Sequence, residues 1–465
     1  MPTMSDAPFS SISRVVRASP RSSRPRRQRG SFFIRGGYVL TMDPLAGDFP
    51  AADVQVTDGV IAAVGPDLAV PAGTPELPAQ GLIVAPGLVD THWHMWNTLL
   101  RSMSADWPEP GYFRVSVQAG RAFGPGDIYQ GTRLACAEAI SSGITTVHDW
   151  CHNVRGPAHA EAGVRALGES GLRARFSYGY AAGHPNDEPM DLAGLGRLHR
   201  DWERVSDGGR LTLGMAWRGP GGSNPAMQVA PAIYRQEIET ARGLGIPVTV
   251  HACGPRSAQG QIAALARAGL LGPDLQIVHA NWATAAEIAD MAAAGTPVSV
   301  SPYSELLIGY GMPRTAELLA AGLCVGLSVD TTVLTGNADM FAIMKVTQGI
   351  ANAQAHDEFA LTHRQALALA TIDGARSLGL GEVTGSITPG KQADIICVST
   401  SEPNLAVLTD PAHLLVTAAQ PANVDMVIVH GQVLKQGGAL TTMNLAELRA
   451  AARQALTGVR TRAGG

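Results

Sequence analysis

The sequence predicts an α/β protein: a (β/α)8 TIM barrel carried by a small β-sandwich built from both ends of the chain. Three observations carry this expectation. Between residues 82 and 381, eight apolar, strand-like segments alternate with stretches of helical period. Four of those segments end in histidine or aspartate, and in a parallel barrel such ends share one face. Short alternating strands punctuated by Gly and Asp-Gly turns lie on either side of that region.

Residues 1 to 31 hold seven arginines, many serines and prolines, and a single acid, Asp6. Such a segment buries too little apolar surface to offset its ordering entropy, so a disordered tail is expected. Arg and Ser enrichment with few acids is also the mark of a transit peptide, although the prolines count against its amphipathic helix. Residues 32 to 81 (FFIRGGYVLTM, DVQVTDGVIAAVG) and 382 to 442 (ADIICVS, DMVIVHGQVLKQG) read as strands. Neither set closes a sheet alone, so the two are expected to combine. Residues 443 to 465 are expected to end the chain as a helix and tail.

The barrel occupies residues 82 to 381. Its strand candidates are LIVAPGLVDTHWH, ITTVHDW, RARFSYGYA, LTLGMAW, PVTVHAC, LQIVHAN, PVSVSPYS and CVGLSVD. Helical stretches separate them, among them Asp127–Ser142, Val229–Leu244, Ala258–Leu270 and Thr284–Ala294.

At 465 residues and 45% hydrophobic, the chain is long enough for a large core and more than one structural unit. A net charge of −4 gives no reason to expect nucleic acid or an anionic membrane surface as a partner. No apolar run reaches the roughly 18 to 20 residues of a membrane span. The five cysteines are scattered, odd in number and without a C-x-x-C pair, which predicts a reducing, cytoplasmic compartment and no disulfide framework. A small-molecule substrate is the expected partner, and a homo-oligomer is compatible with the sequence.

The chemistry-bearing residues begin with Asp90-Thr91-His92-Trp93-His94. Residues two apart on a strand share a face, so His92 and His94 project together and form half of a metal site. Later strands end in His251, His279 and Asp330. These segments, with PGLVDTHWH at the first strand and GSITPGKQADIICV before the last ones, resemble the amidohydrolase superfamily, in particular its cytosine-deaminase and triazine-hydrolase branch. The resemblance covers roughly residues 32 to 440. It implies one divalent metal held by His92, His94, His251 and Asp330, with Asp330 also serving as base and His279 assisting the water or polarising the substrate. Nitrogen and oxygen donors suit Zn²⁺ first and Fe²⁺ second. Such an ion brings the pKa of a bound water toward about 7. In one respect the chain departs from the branch: His251-Ala252-Cys253-Gly254 lacks the glutamate expected three residues after the histidine, which counts against ordinary cytosine- or guanine-type deamination.

Other candidates carry a functional and a bland reading. Glu305 is expected at the barrel mouth as a general acid, or else as a loop carboxylate. Arg218 offers a fork of donors to a substrate carboxylate or carbonyl, or an ion pair with a loop acid. His152 is a candidate substrate contact, and Asp149 a candidate to orient a ligand histidine. His148 reads better as a buried hydrogen-bonding residue. Cys151 and Cys253 read as packing residues. Trp93, Trp96, Trp107 and Trp282 fall near strand ends, where Trp96 and Trp282 are expected to wall a planar substrate.

The leading function is hydrolysis of a non-peptide C–N bond (amide, cyclic amide, amidine or ring amine) in a small molecule. The alternatives are attack on another electrophile, such as a lactone, a C–Cl bond or a natural-product intermediate, and a non-catalytic binding barrel.

Overall fold

The computed structural model describes the strand at Val16–Arg17 and residues 30 to 464, apart from residues 105 to 110 and Cys253. Trp107 lies outside the described residues, as does the N-terminal tail other than Val16–Arg17. Within that tail, expected to be disordered, Val16–Arg17 pairs antiparallel with Val64 and Ala63.

Eight parallel strands form the barrel: β1 Leu88–Trp93, β2 Ile144–Cys151, β3 Arg173–Gly179, β4 Leu211–Trp217, β5 Val248–Ala252, β6 Leu275–His279, β7 Val298–Val300 and β8 Val325–Leu327. Each neighbour in the sheet is also the neighbour in sequence. Helices between them start where the backbone is pre-organised: Pro125, Pro157 and Pro231 each open one, where the missing N–H has no partner to lose. Thr284 and Glu287 cap another reciprocally.

The first strand-like stretch, read from sequence as one barrel strand, is two. Leu82–Pro86 pairs antiparallel with Ile395–Ser399 in the small sheet, and only Leu88–Trp93 enters the barrel. The break falls at Gly87, where a Cβ would stand 2.1 Å from the Thr145 side chain. The chain changes sheets at the one residue that fits against β2.

The small domain is a ten-stranded sheet around its own core of Ile34, Val54, Ile61, Val84, Ile395 and Ile428, so both chain ends contribute. A buried ion pair fastens it to the barrel. Arg173 of β3 gives Nε to Asp394 Oδ2 at 2.6 Å and Nη2 to Oδ1 at 3.3 Å. Asp394 Oδ1 also accepts the His430 N–H at 2.8 Å. The C-terminal helix Leu445–Ala463 lies on the barrel, with Arg462 bonded to the Ala122 carbonyl and Asp127.

Side-chain alternation along β2 turns Trp150 inward and Asp149 outward, toward Cys136 of helix Pro125–Ser141. Asp149 is fully buried, with the Met95 backbone N–H near its carboxyl. Burial pushes its pKa up to about 8.

Two outcomes are expected. Removing one member of a buried pair strands the other charge, so Arg173→Met should cost about 3–5 kcal/mol in chemical denaturation. A loss below about 1 kcal/mol would show that the pair is dispensable. Asp149 ionises near pH 4 when unfolded but keeps its proton to about 8 when folded. Its contribution is therefore intact below about pH 4 and declines as pH rises toward 8. Asp149→Asn should accordingly gain stability over the parent at pH 8 relative to pH 4; an identical difference at both would refute the neutral carboxyl.

Candidate metal centre and active site

The barrel closes through the residue that completes its site. Asp330, three residues beyond β8, donates its N–H to the His92 carbonyl at 2.8 Å and accepts the His94 N–H at 2.6 Å. The same seam is held by Asp90 Oδ2, which accepts the Val329 N–H at 2.7 Å, and by the Thr91 hydroxyl on the Leu327 carbonyl. Asp330 and His279 both adopt left-handed backbone (φ 61° and 81°), unusual for residues with a Cβ. Such a conformation costs about 1–3 kcal/mol and persists where the surroundings over-determine it.

Side chains of His92, His251, His279 and Asp330 each offer one donor atom, all within 4.8 Å of one another. His94 joins them, with Nε2 3.3 Å from Asp330 Oδ1. His92 Nε2 lies 3.3 Å from the same oxygen and 3.2 Å from His251 Nε2. Ligands about 2.0–2.1 Å from a tetrahedral ion stand roughly 3.3 Å apart, so this spacing fits one. The tautomers fit as well: His94 donates Nδ1–H to the Trp150 carbonyl at 3.1 Å, and His279 donates Nδ1–H to Glu305 Oε1 at 3.1 Å. Both thereby keep a lone pair on Nε2, the arrangement metal-binding imidazoles use.

Charge is arranged to suit a cation. Burial lowers the pKa of His92 to about 3 and holds His251 well below the ordinary histidine range, favouring neutral rings. Burial opposes ionisation of Asp330, but hydrogen bonds from His92 and His94 outweigh it and hold the carboxyl well below its usual range. His279 goes the other way. Burial pushes its pKa down, yet the Glu305 bond and the Asp330 charge leave it raised.

Above the cluster opens a cavity of about 340 Å³, lined by His94, His251, His279 and Asp330 below and by aromatic residues around. His152 lines it, stacked edge-on to His94 at 4.3 Å between ring centres. Arg218 lines it too, but its guanidinium is engaged by Glu237 at 2.6 Å and by the Pro185 and Glu188 carbonyls. A compensated fork has no free charge for a substrate carboxylate.

Four expectations are displaced. Glu305 is fully buried behind His279: Oε1 accepts from His279 and from the Ser301 N–H at 2.7 Å, and Oε2 accepts from Asn281 at 3.0 Å. It does not line the cavity, so it orients His279 rather than meeting a leaving group. Trp96 sits outside the cavity, donating to His152 Nδ1 at 3.4 Å and packed against Phe123. Trp282 stands outside as well, under the Arg256 guanidinium. Asp149 points away from every ligand histidine, as described above. His148 is buried between the Thr91 carbonyl and the Ser177 hydroxyl. Cys151 is buried, and Cys253 lies outside the described residues.

Sequence reasoning missed the cavity wall: Tyr112, Trp150, Tyr180, Trp217 and Tyr310. Trp150 was within reach, since it shares the inward parity of His148 and His152 on one strand. Tyr310 sits in a loop whose path no periodicity reveals.

Comparison with known proteins shows the family. The model of the amidohydrolase family matches residues 83–434. The 5'-deoxyadenosine deaminase of Methanosarcina acetivorans is 30% identical over 90% of this chain and 97% of its own length. A 5-methylthioadenosine/S-adenosylhomocysteine deaminase of Moorella thermoacetica is 30% identical over 89% of this chain and 98% of its own. Among solved structures, an adenosine deaminase of Xanthomonas campestris with bound zinc superposes with a TM-score of 0.81 at 28% identity, covering 94% of this chain and all of that one. The zinc complex of an atrazine chlorohydrolase from Arthrobacter aurescens, 22% identical with a TM-score of 0.76 over 91% of this chain and all of its own, shares the fold. The chain belongs to the amidohydrolase family and is a hydrolase of C–N bonds other than peptide bonds.

Proposed function

We propose that this protein removes an exocyclic amine from an uncharged nitrogen heterocycle by hydrolysis, using one divalent metal, Zn²⁺ before Fe²⁺. The observation that carries this reading is the cavity itself: a His/Asp cluster at the floor of aromatic walls, with Asp330 the sole carboxylate among the described lining residues. A planar, neutral ring fits such walls, and an anion or a cation finds no free counter-charge. The motifs PGLVDTHWH and GSITPGKQADIICV support a place in the cytosine-deaminase and triazine-hydrolase branch. The names of the two deaminase relatives make purine nucleosides the first probes.

His92, His94, His251 and Asp330 would hold the metal. When bound, such an ion supplies an activated water at neutral pH. Asp330 takes the proton of the attacking water and returns it to the leaving nitrogen. His279, fixed through Nδ1 by Glu305, turns Nε2 toward the reacting carbon. The aromatic walls hold the ring over the cluster and exclude bulk water.

Purified protein should contain close to one equivalent of metal per chain and release ammonia from at least one of adenosine, 5'-deoxyadenosine and 5'-methylthioadenosine. No ammonia from any of them would remove the ring-amine reading and turn attention to lactones or activated amides. Asp330→Asn should lose both metal and turnover, and a variant that keeps full turnover would exclude Asp330 as base. Glu305→Gln should keep its metal and lose about 10- to 100-fold in kcat, the usual effect of disturbing a residue that positions a ligand. Undiminished kcat would show that His279 needs no such support.

A further inference from the structure

If Asp330 is the only acid on the cavity, the far side of the substrate must be met by another group. Glu305 is behind His279 and Glu237 is paired with Arg218. Three phenols line the cavity: Tyr112, Tyr180 and Tyr310. Tyr112 already receives the Asn97 amide at 3.5 Å, and the Arg218 guanidinium covers the Tyr180 ring at 5.6 Å.

Tyr310 differs from both. Its N–H bonds the Glu305 carbonyl at 2.9 Å, which ties its backbone to the helix that carries Glu305. Its ring stands edge-on to His279, 5.3 Å between centres. The ring also lies against Gly254: a Cβ there would come within 2.8 Å of Tyr310 Cε2, 3.1 Å of Cδ2 and 3.3 Å of His279 Cδ2. The bare glycine therefore lets the ring reach the floor of the cavity, three residues along from His251. The Tyr310 hydroxyl has no hydrogen-bond partner among the described residues. Burial and the Asp330 charge push its pKa up, so the phenol stays protonated and can donate.

We propose that Tyr310 donates a hydrogen bond to the ring nitrogen beside the reacting carbon, from a position that only a glycine at 254 leaves open. This rests on the ring-amine reading above. Water adds to the carbon as its proton passes to Asp330, and the C=N electron pair moves onto the ring nitrogen. The Tyr310 O–H stabilises that charge and retains its own proton. The nitrogen pair then reforms C=N, the bond to the amine breaks, and the proton on Asp330 leaves with the amine as ammonia. An aromatic phenol at this place also selects a ring that needs a hydrogen bond rather than full protonation by a carboxylate.

The experiment uses metal-loaded full-length protein and whichever of adenosine, 5'-deoxyadenosine and 5'-methylthioadenosine gives the fastest ammonia release. Tyr310→Phe keeps the ring and its contact with Gly254 and removes only the hydroxyl. It should leave the melting temperature and metal content unchanged and lower kcat by about 10²-fold, as loss of one donor to developing charge does. Gly254→Ala displaces the ring; it should lower kcat in the parent and add little in the Tyr310→Phe background. A Tyr310→Phe enzyme with parental kcat overturns the proposal, as does a harmless Gly254→Ala. Parent protein inactive on all three probes overturns the ring-amine reading and this proposal with it, a result distinguishable from loss of the hydroxyl effect alone.

Discussion

Two backbone hydrogen bonds between Asp330 and β1 hold both the barrel and its chemistry. The last strand is three residues long, too short to close the sheet by a regular ladder. Closure falls to the segment after it, where Asp330 pairs as an isolated parallel bridge with Trp93. The bonds that seal the barrel thus place the Asp330 carboxyl between the His92 and His94 rings. Left-handed backbone at Asp330 is the local cost of this double use. A chain with the barrel open at this seam would not bring the Asp330 carboxyl to His92 and His94.

Electrostatics follow the same economy. Two charges at the cavity are answered within the protein: Arg218 by Glu237 and His279 by Glu305. Among the described lining residues, the paired Arg218 aside, are imidazoles, one carboxylate, the Asn186 and Gln261 amides, the Ser116 hydroxyl, and aromatic and aliphatic side chains. Low dielectric strengthens the few polar contacts a substrate makes there and penalises any charge it brings unpaired. Glu305 lies behind His279, a buried carboxylate that accepts from His279, Asn281 and the Ser301 N–H.

Much of this was legible in the chain. Alternating strands and helices, with histidines or aspartate at strand ends, fixed the barrel and gathered His92, His94, His251, His279 and Asp330, because strand parity and the common C-terminal face of a parallel barrel are properties of local sequence. The same parity singles out Trp150. It also turns Asp149 outward, which the expectation that it orients a ligand histidine overlooked.

What the tertiary structure decided lies where contacts join residues far apart in sequence. Whether Arg218 is free or paired depends on Glu237, a helix away, and whether Glu305 faces substrate depends on Asn281 and His279 of the preceding strand. The exchange of Leu82–Pro86 into the small sheet was hidden, because an apolar run reads alike in either sheet until Ile395–Ser399 arrives to pair with it. Tyr310 over Gly254 is the clearest case: two loops without periodicity meet only when the barrel closes. Sequence by itself determined which residues could carry the chemistry, since that follows from residue type and parity; the fold decided which of them face the cavity, since that follows from packing between segments no local pattern connects.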